Sequence, residues 1–100
     1  MKQTPAAKST TMRERDIEAR LVLAVKLAGG VAHKFVSPAR RSVPDRIVTL
    51  PGRGSVFVEL KAPGCKPTPA QQREHERIRA AGGTVHVLDS CAAVAAFVKL

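Results

Sequence analysis

Tryptophan and tyrosine are absent from this 100-residue chain, and three phenylalanines are its whole stock of large aromatic rings. A core of stacked aromatics is therefore excluded. With 44% hydrophobic residues, the interior must be assembled from Val, Leu, Ile and Ala. That suits one small domain whose thin core is helped by pairing with a second copy. Cysteine is nearly as scarce. Cys65 and Cys91 stand in unrelated contexts without metal-ligand spacing, which argues against a cysteine-rich zinc site and suits reduced thiols in a cytoplasmic protein. No apolar run reaches the length of a membrane span, and no signal peptide is visible. Acidic residues are the last shortage: 8 against 17 basic ones, a formal charge of +9. Such a surface favours a polyanionic partner, nucleic acid before membrane.

What is present follows an αβββαβ pattern with a closing helix. Residues 1–12 form a polar tail with Pro5 and two lysines, expected to lack fixed structure, and residues 13–100 form the domain. From about Arg13 to Ala28, apolar residues Ile17, Leu21, Ala24, Val25 and Ala28 recur at helical steps, and Gly29-Gly30 ends the helix. Val31 to Val36 reads as a first strand, with Lys34 on it. Ser37 to Val43 is a loop carrying Arg40-Arg41, a pair suited to phosphate. Asp45 to Leu50 and Val56 to Lys61 read as the arms of a hairpin. An odd-length turn, Gly52-Arg53-Gly54, would set Pro51 opposite Ser55, Ile47 opposite Glu59 and Asp45 opposite Lys61. Asp45, Glu59 and Lys61 would then share one face of the sheet.

After a loop with Lys66, Thr68-Pro69-Ala70-Gln71 combines an N-cap, a proline at the first helical position and a capping box. The helix runs to about Ala81. Gln71, His75 and Ile78 turn toward the sheet, while Arg73 and Arg77 turn outward. Thr84 to Leu88 is a fourth strand, parallel to the third across the intervening helix. Ser90 caps a last helix with Val94, Phe97 and Val98 at helical spacing. The expected class is α/β: a small mixed four-stranded sheet flanked by helices.

The charged residues inside this pattern point to chemistry. Glu59 and Lys61 lie in an apolar strand, where a charged pair is costly unless something uses it; a solvated pair on an edge strand is the alternative. Glu18 borders the apolar stripe of the first helix, with Glu14 one turn earlier able to take its place. Glu18, Asp45 and Glu59 gathered at one end of a sheet would repel unless a cation joined them. Oxygen ligands without clustered His or Cys favour Mg²⁺ or Mn²⁺. Lys61 beside such an ion would orient water or steady phosphate charge. On a basic protein the matching substrate is a nucleic-acid phosphodiester, cut in line by metal-activated water. Lys34, Arg40, Arg41, Arg46, Lys66 and Arg73 are the basic side chains expected to meet the backbone of the DNA.

Pro44-Asp45 followed by Glu59-Leu60-Lys61 resembles the PD-(D/E)XK signature of restriction-endonuclease-like nucleases. The wider pattern is more specific. Glu18 on a helix, Gly29-Gly30, Lys34-Phe35, Pro44-Asp45-Arg46, Glu59-Leu60-Lys61-Ala62-Pro63-Gly64 and Pro69-Ala70-Gln71 resemble the VRR-NUC family, the virus-type replication-repair nucleases, over nearly the whole chain. The resemblance implies a restriction-endonuclease-like fold and a phage or bacterial origin. It implies that Asp45, Glu59 and the Leu60 carbonyl hold the metal, with Glu18 near it. Lys61 would be the catalytic lysine and Gln71 the motif glutamine. It further implies a homodimer acting on branched DNA such as four-way (Holliday) junctions. Two other functions fit the same residues: a flap or end nuclease of this fold, and a basic DNA-binding module without catalysis. Cleavage in Mg²⁺ or Mn²⁺ separates the last from the others.

Overall fold

The computed structural model describes residues 12–100. The tail assigned to residues 1–12 lies outside them except for Met12. Element order is α1 (Glu14–Leu27), β1 (Val31–Lys34), β2 (Arg46–Leu50), β3 (Gly54–Leu60), α2 (Pro69–Ala80), β4 (Val85–Leu88) and α3 (Cys91–Lys99). Each element sits about where the apolar periodicity and turn residues place it; β1 ends two residues earlier than expected, and β3 starts two residues earlier, at Gly54, and ends at Leu60. One sheet runs in the order β1-β2-β3-β4. Its first two pairings are antiparallel and the β3–β4 pairing is parallel.

The sheet divides the molecule. On one face Ile17, Leu21 and Val25 of α1 and Val94 and Phe97 of α3 close on Val48, Val58, Leu60 and Leu88. Aliphatic side chains supply nearly all of this core, as the lack of aromatics requires. Gly30 lets α1 hand over to β1 at close range. A Cβ there would collide with the Thr49 carbonyl oxygen and the Leu50 side chain. The opposite face holds Phe57, packed on Phe35 with ring centroids 5.7 Å apart, then Glu59, and is covered by α2.

The hairpin register differs from the one expected. Leu50 pairs with Gly54, so Pro51-Gly52-Arg53 is the three-residue turn, and Ile47 pairs with Phe57 rather than Glu59. Gly54, at φ 71°, takes the left-handed position beside the turn. The loop is odd in length either way, so the faces are as expected. The pairing slides by two residues, which moves Asp45 from opposite Lys61 to opposite Glu59. Among the described residues no helix is long and apolar enough to cross a membrane.

Candidate active site

Strand alternation puts Arg46 and Asp45 on opposite faces of β2, and each finds its partner there. Continuing the β2–β3 register one step beyond Arg46–Val58 sets Asp45 across from Glu59. Asp45 is anchored to β3 directly: its Oδ2 accepts the Leu60 amide at 2.8 Å. An extended residue points its N–H and C=O to the same neighbour, so the Leu60 carbonyl lies on the Asp45 side as well. Lys61 follows, its amide donating to the Leu88 carbonyl at 3.0 Å and its Nζ 3.8 Å from Glu59 Oε2.

α2 closes the site from above. Thr68 and Gln71 form the full capping box: the Gln71 amide donates to Thr68 Oγ1 at 3.2 Å and the Thr68 amide to Gln71 Oε1 at 2.9 Å. With Oε1 so engaged, Nε2 is turned to the sheet and donates to Glu59 Oε2 at 3.1 Å. Gln71 thus both starts the helix and holds the carboxylate. One turn on, His75 is 2% exposed, with Nε2 3.6 Å from Glu59 Oε1. That is too long for a hydrogen bond, and neither atom has another partner among the described residues.

These surroundings set the protonation of the groups. Burial pushes the Glu59 carboxyl up to about 7, helped by the Asp45 charge and hydrogen bond and by Glu14, against the attraction of Lys61. Burial likewise holds the His75 imidazole below its ordinary value, with Arg79 and Lys61 adding to the effect, so it stays neutral at neutral pH. A buried carboxylate oxygen without a donor, beside a second carboxylate, is costly when ionised.

The two glutamates of α1 part company. Glu18 Oε2 takes the Arg46 Nε at 2.8 Å, and Arg46 also donates to the Ala32 carbonyl at 2.9 Å. Both were expected at the site, Glu18 near the metal and Arg46 on DNA. Arg46 instead lies on the α1 face of β2, where Glu18 meets it, and the pair braces α1 against the β1–β2 edge. Glu14, one turn nearer the helix start, lies within reach of the charges of the acidic site. Its carboxyl is raised, first by desolvation and then by Asp45, against Lys61, with Glu18 contributing last.

Of the other basic residues, Lys34, Arg41, Lys66 and Arg73 are exposed, and Arg40 donates through Nε to Glu74 Oε1 at 2.8 Å. Glu74 and His75, both buried, are functional candidates that the sequence motifs do not single out. Their signal was the spacing of Gln71, Glu74, His75 and Ile78, one helical face with polar residues on it. Among the described residues no group of three or more His, Cys, Asp or Glu side chains is gathered to hold an ion. Asp45 and Glu59 are the two carboxylates that face each other across the hairpin.

No family model matches the chain. "Putative nuclease p44" of Acyrthosiphon pisum secondary endosymbiont phage 1 is 60% identical over 79 residues, which cover 79% of this chain and 85% of that protein. A solved structure described as "VRR_NUC domain" is 35% identical, covering 86% of this chain and 94% of its own, with a TM-score of 0.78. A second, described as "VRR_NUC domain protein", shares the fold at 16% identity and a TM-score of 0.68, over 90% of this chain and 88% of its own. On its mixed four-stranded sheet and on these likenesses, the chain belongs to the VRR-NUC family of nucleases.

Proposed function

We propose that the protein is a Mg²⁺- or Mn²⁺-dependent endonuclease that hydrolyses phosphodiesters in branched DNA of the four-way-junction type, working as a homodimer. The observation that carries this is the Asp45–Glu59 pair, opposed on one face of the hairpin with Lys61 beside it. The donors suit the ion. Two carboxylates and a backbone carbonyl are oxygen ligands, and Mg²⁺ is commonly held by one or two carboxylates, with waters and phosphate completing its shell. A cation there would also offset the burial and the Asp45 charge that together raise the Glu59 pKa. When bound, such an ion supplies positive charge that activates water and stabilises the leaving oxygen.

The protein's own groups do the rest. The Leu60 amide and Gln71 fix the two carboxylates in rotation. Lys61, 12% exposed at its side chain, presents an ammonium toward the space a scissile phosphate would enter, where it orients water and offsets developing charge. Neutral His75 walls Glu59 off from solvent. Glu14 rather than Glu18 is the helix carboxylate of this site, because Glu18 is spent on Arg46. The +9 charge supports a nucleic-acid substrate gripped through its phosphates. For a second copy, the support is apolar surface on α1 and the open edge strand β1: Leu23, Leu27 and Val31 are 52%, 78% and 49% exposed.

In a panel of labelled four-way junction, flap and linear duplex, the wild type should cut the junction fastest in Mg²⁺ or Mn²⁺, and not at all with chelator. Asp45→Ala or Lys61→Ala should abolish cutting and leave junction binding largely intact. Full nicking by either purified variant refutes the assignment. Glu14→Gln should slow cleavage at least tenfold with little change in melting temperature. Glu18→Gln should do the reverse, costing about 1–2 kcal/mol of stability through Arg46; equal effects on both readouts would reject the distinction.

The raised Glu59 pKa fixes a pH dependence. The folded protein holds a proton that the unfolded chain, with its ordinary value of 4.5, releases sooner. The resulting stability is full below about pH 4.5 and is lost as pH rises through about 7. A divalent ion must displace that proton, so its stabilising effect grows over the same window. Thermal melts with and without Mn²⁺ should show a larger upward shift at about pH 8 than at about pH 5.5. A shift independent of pH would contradict it.

A further inference from the structure

The loop after β1 and one side of α2 line an open cavity of about 400 Å³, walled by Arg40, Arg41, Ser42, Arg73, Glu74 and Arg77 among others. It lies on the face of α2 that adjoins the one carrying Gln71 and His75, and the acidic site does not use it. Its floor is Glu74, whose side chain is 11% exposed and whose Oε1 takes Arg40 Nε at 2.8 Å, with Arg77 Nε 3.6 Å away. A carboxylate buried this far needs such partners. Both guanidiniums are engaged through Nε, so their outer nitrogens have no hydrogen-bond partner among the described residues. Arg41 and Arg73 have no carboxylate partner there either. Four guanidiniums around one carboxylate leave a surplus of positive charge in a concave space, with Glu74 fixing the direction of two of them.

We propose that this cavity seats one internal phosphodiester of the substrate strand, as a second grip on DNA apart from the cut. Pre-oriented guanidinium forks match phosphate oxygens two at a time, which dispersed lysines do not, and the hydroxyl of Ser42 adds a neutral donor. The position favours the substrate's own backbone over an acidic protein. The cavity and the acidic site occupy adjoining faces of α2, separated by about the width of a helix, roughly 10 Å. A strand rising about 3.4 Å per nucleotide covers that distance in a few steps. A phosphate held there sets which linkage lies over Asp45 and Glu59. The proposal rests on the nuclease reading for the identity of its ligand.

The test is a scan of binding in chelator, so that no cleavage is needed. The branched DNA bound most tightly is made with each phosphate in turn replaced by a neutral methylphosphonate. The protein is wild type or the Arg41→Gln/Arg73→Gln double variant, whose altered positions are both exposed and leave the Glu74–Arg40 floor intact. At one internal linkage near the branch, neutralisation should weaken the wild type roughly tenfold and leave the variant unchanged. The variant's dependence of log affinity on log salt should be shallower by about one. Equal weakening of both proteins at every linkage, or no weakening of the variant's overall affinity, overturns the proposal. So does a flat internal scan with a gain on adding a terminal phosphate, which would make this a strand-end pocket. Loss of cleavage activity in Mg²⁺ with the expected scan would remove the nuclease reading and leave the pocket standing as a DNA grip.

Discussion

Two carboxylates set opposite each other on neighbouring strands, one of them 1% exposed, are costly to ionise together, and the chain gives neither a way to retreat. Asp45 is pinned to the Leu60 amide and Glu59 to Gln71. The three-residue turn Pro51-Gly52-Arg53 holds the register that opposes them, and a slip of one residue would send them to opposite faces. The repulsion is therefore built into the hairpin. A proton relieves it, and the Glu59 pKa, raised first by burial and then by Asp45 to about 7, reflects both; a bound cation would relieve it too. Everything nearby reads as a response to that constraint: the lysine at 3.8 Å, the neutral imidazole, the amide turned inward by its duty as a helix cap.

The three helices divide the labour around this pair. α1 and α3 bury the aliphatic core on the far face and carry the strands. The ion pair of Arg46 with Glu18 belongs to that supporting layer although it lies one residue from Asp45. α2 carries the polar work. Its capping box fixes the orientation of Gln71, its next turn brings His75 over Glu59, and its adjoining face holds Glu74 and the arginines. A single helix thus faces the reacting end of the sheet with one side and the proposed backbone grip with another.

The fold was legible in the sequence because each element carries its own local signal: aliphatic steps in α1, Thr68-Pro69 before α2, Ser90 before α3, glycines at the turns. The gathering of Asp45, Glu59, Lys61 and Gln71 was legible for the same reason, since it follows from strand alternation and turn parity. The exact register was not, because the turn could be closed by Gly54 or just before it, and both closures keep the same side chains on the same faces. Glu14 and Glu18 are alike in the sequence too. Both border the same helical stripe, and what separates them is Arg46, a residue that sequence distance does not connect to either. Glu74 carries no local signal of its pairing, because its partner Arg40 lies 34 positions away, across the β2–β3 hairpin.

The most direct measurement is the anomalous scattering of Mn²⁺ in crystals grown at about pH 8, above the pH at which Glu59 gives up its proton. A peak within coordination distance of both the Asp45 and Glu59 carboxylates, beside the Leu60 carbonyl, is the expected result. Saturating Mn²⁺ with no peak between those two side chains, or a peak held by other residues alone, would contradict it.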